Sequence, residues 1–106
     1  MMAEYIDDVR KYDSEADEEA VNKIVKRLGI ALRSRDASLV SCSSQSELNT
    51  VKEKWCKNRL DLSDDQADEA IQNTCQTMKD ARSKSRVTFY YLCAKHSGTM
   101  EKVHAL

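Results

Sequence analysis

Apolar residues recur at helical spacing along most of the chain, and the spacing resets at residues that cap helices. Tyr5, Ile6, Val9 and Tyr12 give one side of a short helix over about residues 3–12. A second stripe, Val21, Ile24, Val25 and Leu28, follows Ser14 and the acids Glu15, Asp17, Glu18 and Glu19. A hydroxyl at Ser14 would accept from the unpaired N–H groups of the helix start, and the acids complement the helix dipole. The helix is expected to close on "KRLGI", with cations in its last turn, Gly29 left-handed and Ile30 folded back. Ala31 and Leu32 keep the same period, so continuation to about Arg35 stays open.

Asp36 reads as the cap of a short segment, "ASLVS". Ser44 and Glu47 then form the pattern of a capping box and open a helix to about Arg59, with Leu48, Val51 and Trp55 on its apolar face. Ser63 and Gln66 form a second box, opening a helix to about Asp80. Its stripe of Ala67, Ala70, Ile71, Thr74, Cys75 and Met78 is the clearest in the chain. In "RVTFYYL" the residue types favour a strand. The neighbours favour a helix: Ser83 as a cap before it, Lys95, His96 and Gly98 after it, and no partner strand in view. Wound as a helix, Val87, Tyr90, Tyr91 and Ala94 share one face, and Phe89, Leu92, Cys93 and His96 another. So broad an apolar surface belongs to a helix enclosed by others, with Arg82, Lys84 and Arg86 as a solvated rim at its start.

Composition sharpens this picture. A chain of 106 residues suits one domain with one core. Proline is absent and glycine occurs twice, too few turn residues for a sheet protein with many tight turns. The expected fold is all-α: a compact single-domain bundle of about five helices and no sheet. Net charge is −1, but residues 81–106 carry five basic residues and one acid. No apolar run approaches the roughly 18–20 residues of a membrane span, and the acidic start is unlike a signal or transit leader. The cytoplasm is the expected compartment. There Cys42, Cys56, Cys75 and Cys93 should all be free thiols, with Cys75 buried on the core stripe.

The segments "YIDDVRKY", "ALRSRDASLVSCS", "SELNTVKEKW" and "SRVTFYYLCAKHSG" together resemble a small bacterial family of domains of unknown function, found mainly in alphaproteobacteria. The resemblance covers nearly the whole chain and keeps the order of the motifs. It implies a cytosolic, helical, single-domain bacterial protein. It brings no activity, substrate or catalytic residue.

Tempting chemistry fails on context. Tyr91 and Lys95 have the spacing of the tyrosine–lysine pair of short-chain dehydrogenases, but that chemistry needs a nucleotide-binding βαβ unit and its glycine fingerprint. Cys93 and His96 lie one helical turn apart, yet the other cysteines are too widely spaced for a zinc site. Asp61, Ser63 and Asp65 mimic the start of a calcium loop whose glycine is replaced by Gln66 and whose terminal glutamate is replaced by Gln72. Cys93 with His96 is the one conceivable catalytic dyad, and a core thiol beside a cation at a helix end explains both. No catalytic residue, metal or cofactor is therefore expected. The leading expectation is a small non-enzymatic interaction or regulatory module acting on a protein partner or on a second copy of itself. Its candidate anchors are Tyr5, Tyr12 and Trp55, since aromatic residues dominate interface energetics. The alternative is weak nucleic-acid binding through Arg82, Lys84, Arg86, Lys95 and Lys102. No membrane partner is expected.

Overall fold

The apolar stripes fold as helices largely in the order the sequence lays them down. The structure, a computed structural model, describes residues 2–34 and 37–106. Its elements are α1 (Met2–Arg10), α2 (Glu18–Leu28), β1 (Leu39–Val40), α3 (Gln45–Val51), α4 (Asp64–Thr77), β2 (Lys84–Ser85), α5 (Arg86–Ser97) and α6 (Met100–His104). The buried side chains form one cluster. At its centre lies α5, against which α4, α2, α1 and α6 pack. Every residue from Arg86 to Ala94 is buried, so the stretch with strand-forming residue types is the central helix of an all-α bundle. Gly98 ends it in the left-handed conformation at φ 70°, which glycine adopts without the steric cost of a Cβ.

The reciprocal box at the start of α4 is complete: Ser63 Oγ accepts from the Gln66 N–H, and Gln66 Oε1 accepts from the Ser63 N–H. The box expected at α3 is half formed. Ser44 Oγ accepts from the Glu47 N–H at 3.3 Å, but the Glu47 carboxylate turns away to Arg86. After Val51 the helix widens to π pitch over Lys52–Lys57. The wider turn brings both Trp55 and Cys56 into the core. There the indole donates to Tyr90 O at 3.0 Å and stacks on the Tyr90 ring with centroids 4.5 Å apart.

Several expectations are corrected. The cap of α2 is Asp17, whose carboxylate accepts from the Ala20 N–H; Ser14 lies in the turn before it. Gly29 ends α2, and a 3-10 stretch, Gly29–Arg33, continues the chain. Ile30 is 80% exposed and does not fold back. The expected Asp36 cap lies outside the described residues. A small sheet exists: β1 and β2 pair antiparallel, Leu39 opposite Ser85 and Val40 opposite Lys84. Each is the extended approach to a helix, and side by side they satisfy main-chain groups that neither helix can reach. Helix α6 was not foreseen; it buries Val103 after the Gly98 turn. Among the described residues no helix is long and apolar enough to cross a membrane.

Candidate functional site

Where the β1–α3 connection meets the end of α4 and the approach to β2, the surface is hollowed into a cavity of about 730 Å³. Ser41, Ser43, Ser44 and Ser83 line it, together with the cations Lys79, Arg82 and Lys84. Lys84 is half-buried and donates from Nζ to Ala81 O at 3.1 Å. Lys79 and Arg82 are exposed and carry no ion pair among the described residues. Among the described residues Glu47 is the one carboxylate in the lining, and it is already taken up from behind by Arg86.

That contact corrects the reading of Arg86. It is 7% exposed rather than part of a solvated rim. Its Nε donates to Ala37 O at 2.6 Å, its Nη2 donates to Leu39 O at 3.0 Å and to the Glu47 carboxylate, and its guanidinium lies over the Tyr90 ring at 5.8 Å. An arginine at the first position of a core helix is drawn inward because the β1 strand offers carbonyls its planar fork can reach.

The cavity is also bounded by sulfur. Cys42 and Cys75, both half-buried and lining it, are joined as a disulfide with Cα atoms 6.0 Å apart. This overturns the expectation of four free thiols and of Cys75 as a buried core residue. Its place at the edge of the α4 stripe lets it face the loop that carries Cys42. Cys56 and Cys93 remain free and buried. Burial, with the Cys56 thiol beside it, pushes the Cys93 thiol well above its ordinary value. Cys93 Sγ meets Thr74 Oγ1 at 3.5 Å and His96 Nε2 meets Thr77 Oγ1 at 3.3 Å. The two side chains thus engage successive turns of α4 and do not form a dyad.

At the junction of the α1–α2 turn with α5, the Tyr91 hydroxyl donates to Asp13 Oδ2 at 2.8 Å and accepts from the Asp17 N–H at 3.0 Å. Lys95 Nζ lies 3.2 Å from Asp13 Oδ1. Burial above all, and then the Asp13 carboxylate, pushes the Tyr91 phenol up to about 12. Burial raises the Asp13 carboxyl, but the Tyr91 hydroxyl and Lys95 outweigh it and hold that carboxyl below its ordinary value. His104 of α6 continues the network, Nε2 to Asp17 at 2.7 Å and Nδ1 to Glu19 at 2.9 Å. Tyr91 and Lys95 therefore bracket a structural carboxylate. A phenol held protonated by its surroundings is the opposite of one activated to give up its proton.

The residues nominated from the sequence are scattered. Arg82 and Lys84 meet at the cavity, and Arg86 stands behind it. Lys95 is about 13 Å along α5 from Arg86 and is paired with Asp13. Lys102 lies on α6. Trp55 is 1% exposed and cannot anchor a partner, while Tyr5 and Tyr12 are half-buried against the core. The sequence pattern presents Ser44 and Ser83 only as helix caps and gives Lys79, Ser41 and Ser43 no role. The serine-rich run "SCSSQS" and the one-turn spacing of Cys75 and Lys79 were the available signals. Among the described residues no three His, Cys, Asp or Glu side chains gather as a metal site.

The family model described as "Protein of unknown function (DUF2853)" matches residues 4–101. The chain belongs to this family. No curated protein matches it significantly. Membership agrees with the resemblance read from the sequence motifs and assigns no activity.

Proposed function

We propose that this chain is a small non-enzymatic interaction module of the bacterial cytoplasm whose working surface is the cavity between the β1–α3 connection and the end of α4. Its ligand is a phosphate-type oxyanion carried by a partner molecule. One observation carries the reading: three cations and four serines line a cavity in which Glu47, the one carboxylate among the described residues, is neutralised from the protein side by Arg86. Hydroxyl donors and fixed positive charge together suit an oxyanion, because hydrogen bonds to an ionised acceptor are roughly twice as strong as neutral ones. A long nucleic-acid backbone is less well suited. Lys95 is spent on Asp13 and Lys102 sits on α6, so the five nominated cations form no continuous track.

The test is titration of the protein with inorganic pyrophosphate, followed by amide chemical shifts. Shifts should concentrate at residues 41–44 and 79–84, weaken with added salt, and vanish in a Lys79→Gln, Arg82→Gln, Lys84→Gln variant. Unchanged spectra at millimolar pyrophosphate, or an equal response in the triple variant, would end this reading.

A further inference from the structure

We propose that the Cys42–Cys75 disulfide is a reversible exchange site whose reaction partner is a small anionic thiol drawn into the basic cavity, an inference that rests on the anion-binding reading above. The two cysteine pairs of this chain are placed differently. Cys56 and Cys93 are sealed in the core, whereas Cys42 and Cys75 are half-buried in the wall of an open cavity. Access to sulfur is a requirement for thiol–disulfide exchange, because a thiolate must reach one sulfur of the bond it displaces.

The charge around the bond favours that attack. Lys79 stands four residues after Cys75, in the turn that follows α4, and Arg82 and Lys84 share the same cavity. Positive charge concentrates an anionic thiol at the sulfur and stabilises the cysteine thiolate that leaves, since nearby cations lower a thiol's pKa. In the first step the incoming thiolate bonds to one cysteine sulfur, the S–S bond breaks, and the other cysteine departs as a thiolate. A second small thiolate then attacks the small-thiol sulfur of the mixed disulfide and releases the first cysteine. Two small thiols are oxidised to their disulfide, Cys42 and Cys75 are reduced, and the two protons of the small thiols end on the cysteines. The bond ties a segment of the β1–α3 connection to α4 across 33 residues. Its opening therefore unpins one wall of the site.

The experiment uses the full oxidised chain under native conditions. Exchange is followed by intact mass with glutathione, a thiol of net negative charge, and with cysteamine, a cationic thiol. Each rate is divided by the rate for the same thiol on a short solvent-exposed disulfide peptide. The normalised glutathione rate should exceed that of cysteamine by about fivefold or more at low salt, and the preference should collapse at high salt. It should also collapse in Lys79→Gln, Arg82→Gln protein, and oxidised glutathione should re-form the bond in reduced protein. Exchange that waits for unfolding, equal normalised rates for the two thiols, or failure of the bond to re-form would each overturn the inference. Pyrophosphate binding, measured on the same oxidised sample, separates the two proposals. Binding without charge-selective exchange removes the exchange site alone; no binding removes the anion-binding reading itself.

Discussion

Replacing Arg86 by methionine keeps most of the side-chain volume and removes the charge and its donors. In the native protein the guanidinium satisfies Ala37 O, Leu39 O and the Glu47 carboxylate at once. Removing one member of a buried ion pair costs about 3–5 kcal/mol, because the survivor stays desolvated. Two features lower that figure here. The Glu47 side chain is 28% exposed, so water can reach it, and both carbonyls belong to half-buried residues at the margin of the core. A loss of about 2–4 kcal/mol is expected. For a domain near 100 residues that is a fall in Tm of roughly 10–20 °C. Arg86→Lys should recover less than half of the loss, since an ammonium lacks the planar fork that reaches three acceptors. Urea unfolding monitored by far-ultraviolet dichroism measures all three proteins. The cycle with Glu47→Gln isolates the pair term, which should be about 1–3 kcal/mol for side chains in direct contact. Charge reversal at Arg82 and Lys84 supplies the contrast, with changes within about 0.5 kcal/mol each. A loss below about 1 kcal/mol for Arg86→Met, or equal stability of Arg86→Lys and wild type, refutes the reasoning.

Two further outcomes follow from the core and from the Tyr91 network. Leu92→Ala, at a position 1% exposed in the central helix, should cost about 2–5 kcal/mol in the same urea assay; a change under 1 kcal/mol would place that helix outside the core. The Tyr91 phenol is raised from 10.0 to about 12 by burial first, so its contribution to stability is fully present below pH 10 and is lost as pH rises towards 12. Asp13 has the opposite sign, its depressed carboxyl stabilising above its ordinary 3.8 and failing as the solution is acidified. Tyr91→Phe should therefore flatten the alkaline edge of the stability profile. An unchanged alkaline edge, or a tyrosinate absorbance in folded protein that completes near pH 10, contradicts it.

The helices that matter most were legible because their signals are local. Ser63 with Gln66, the stripe from Ala67 to Thr74, and Gly98 after Lys95 and His96 each act within a few residues, and each folds as read. The features that the sequence pattern does not show depend on contacts far apart in sequence. Asp17 displaces Ser14 as the cap of α2 while its own N–H is engaged by Tyr91, 74 residues away. The π turn carries Trp55 to a stack on Tyr90, 35 residues away. The two short strands pair segments far apart in sequence, Leu39 with Ser85 and Val40 with Lys84. The site follows the same rule. Arg82 and Lys84 were visible as cations, but the cavity joins them to Lys79 and to serines from a segment some 40 residues earlier. Four cysteines allow three complete pairings and several partial ones, and spacing alone selects none.

Arg86 links the core of the bundle to the cavity. From inside the bundle it holds the β1 strand and occupies Glu47, and by occupying Glu47 it leaves the cavity in front of it positive. It does not line that cavity. The fold thus sets the charge of the cavity through a residue outside its lining. Arg86→Met should weaken pyrophosphate binding even at temperatures where the variant is fully folded, because Glu47 then adds an uncompensated negative charge to the lining. Glu47→Gln in the same background removes that charge and should restore binding without restoring the lost stability. A purely structural role for Arg86 predicts the reverse: binding that tracks the folded fraction and is indifferent to residue 47.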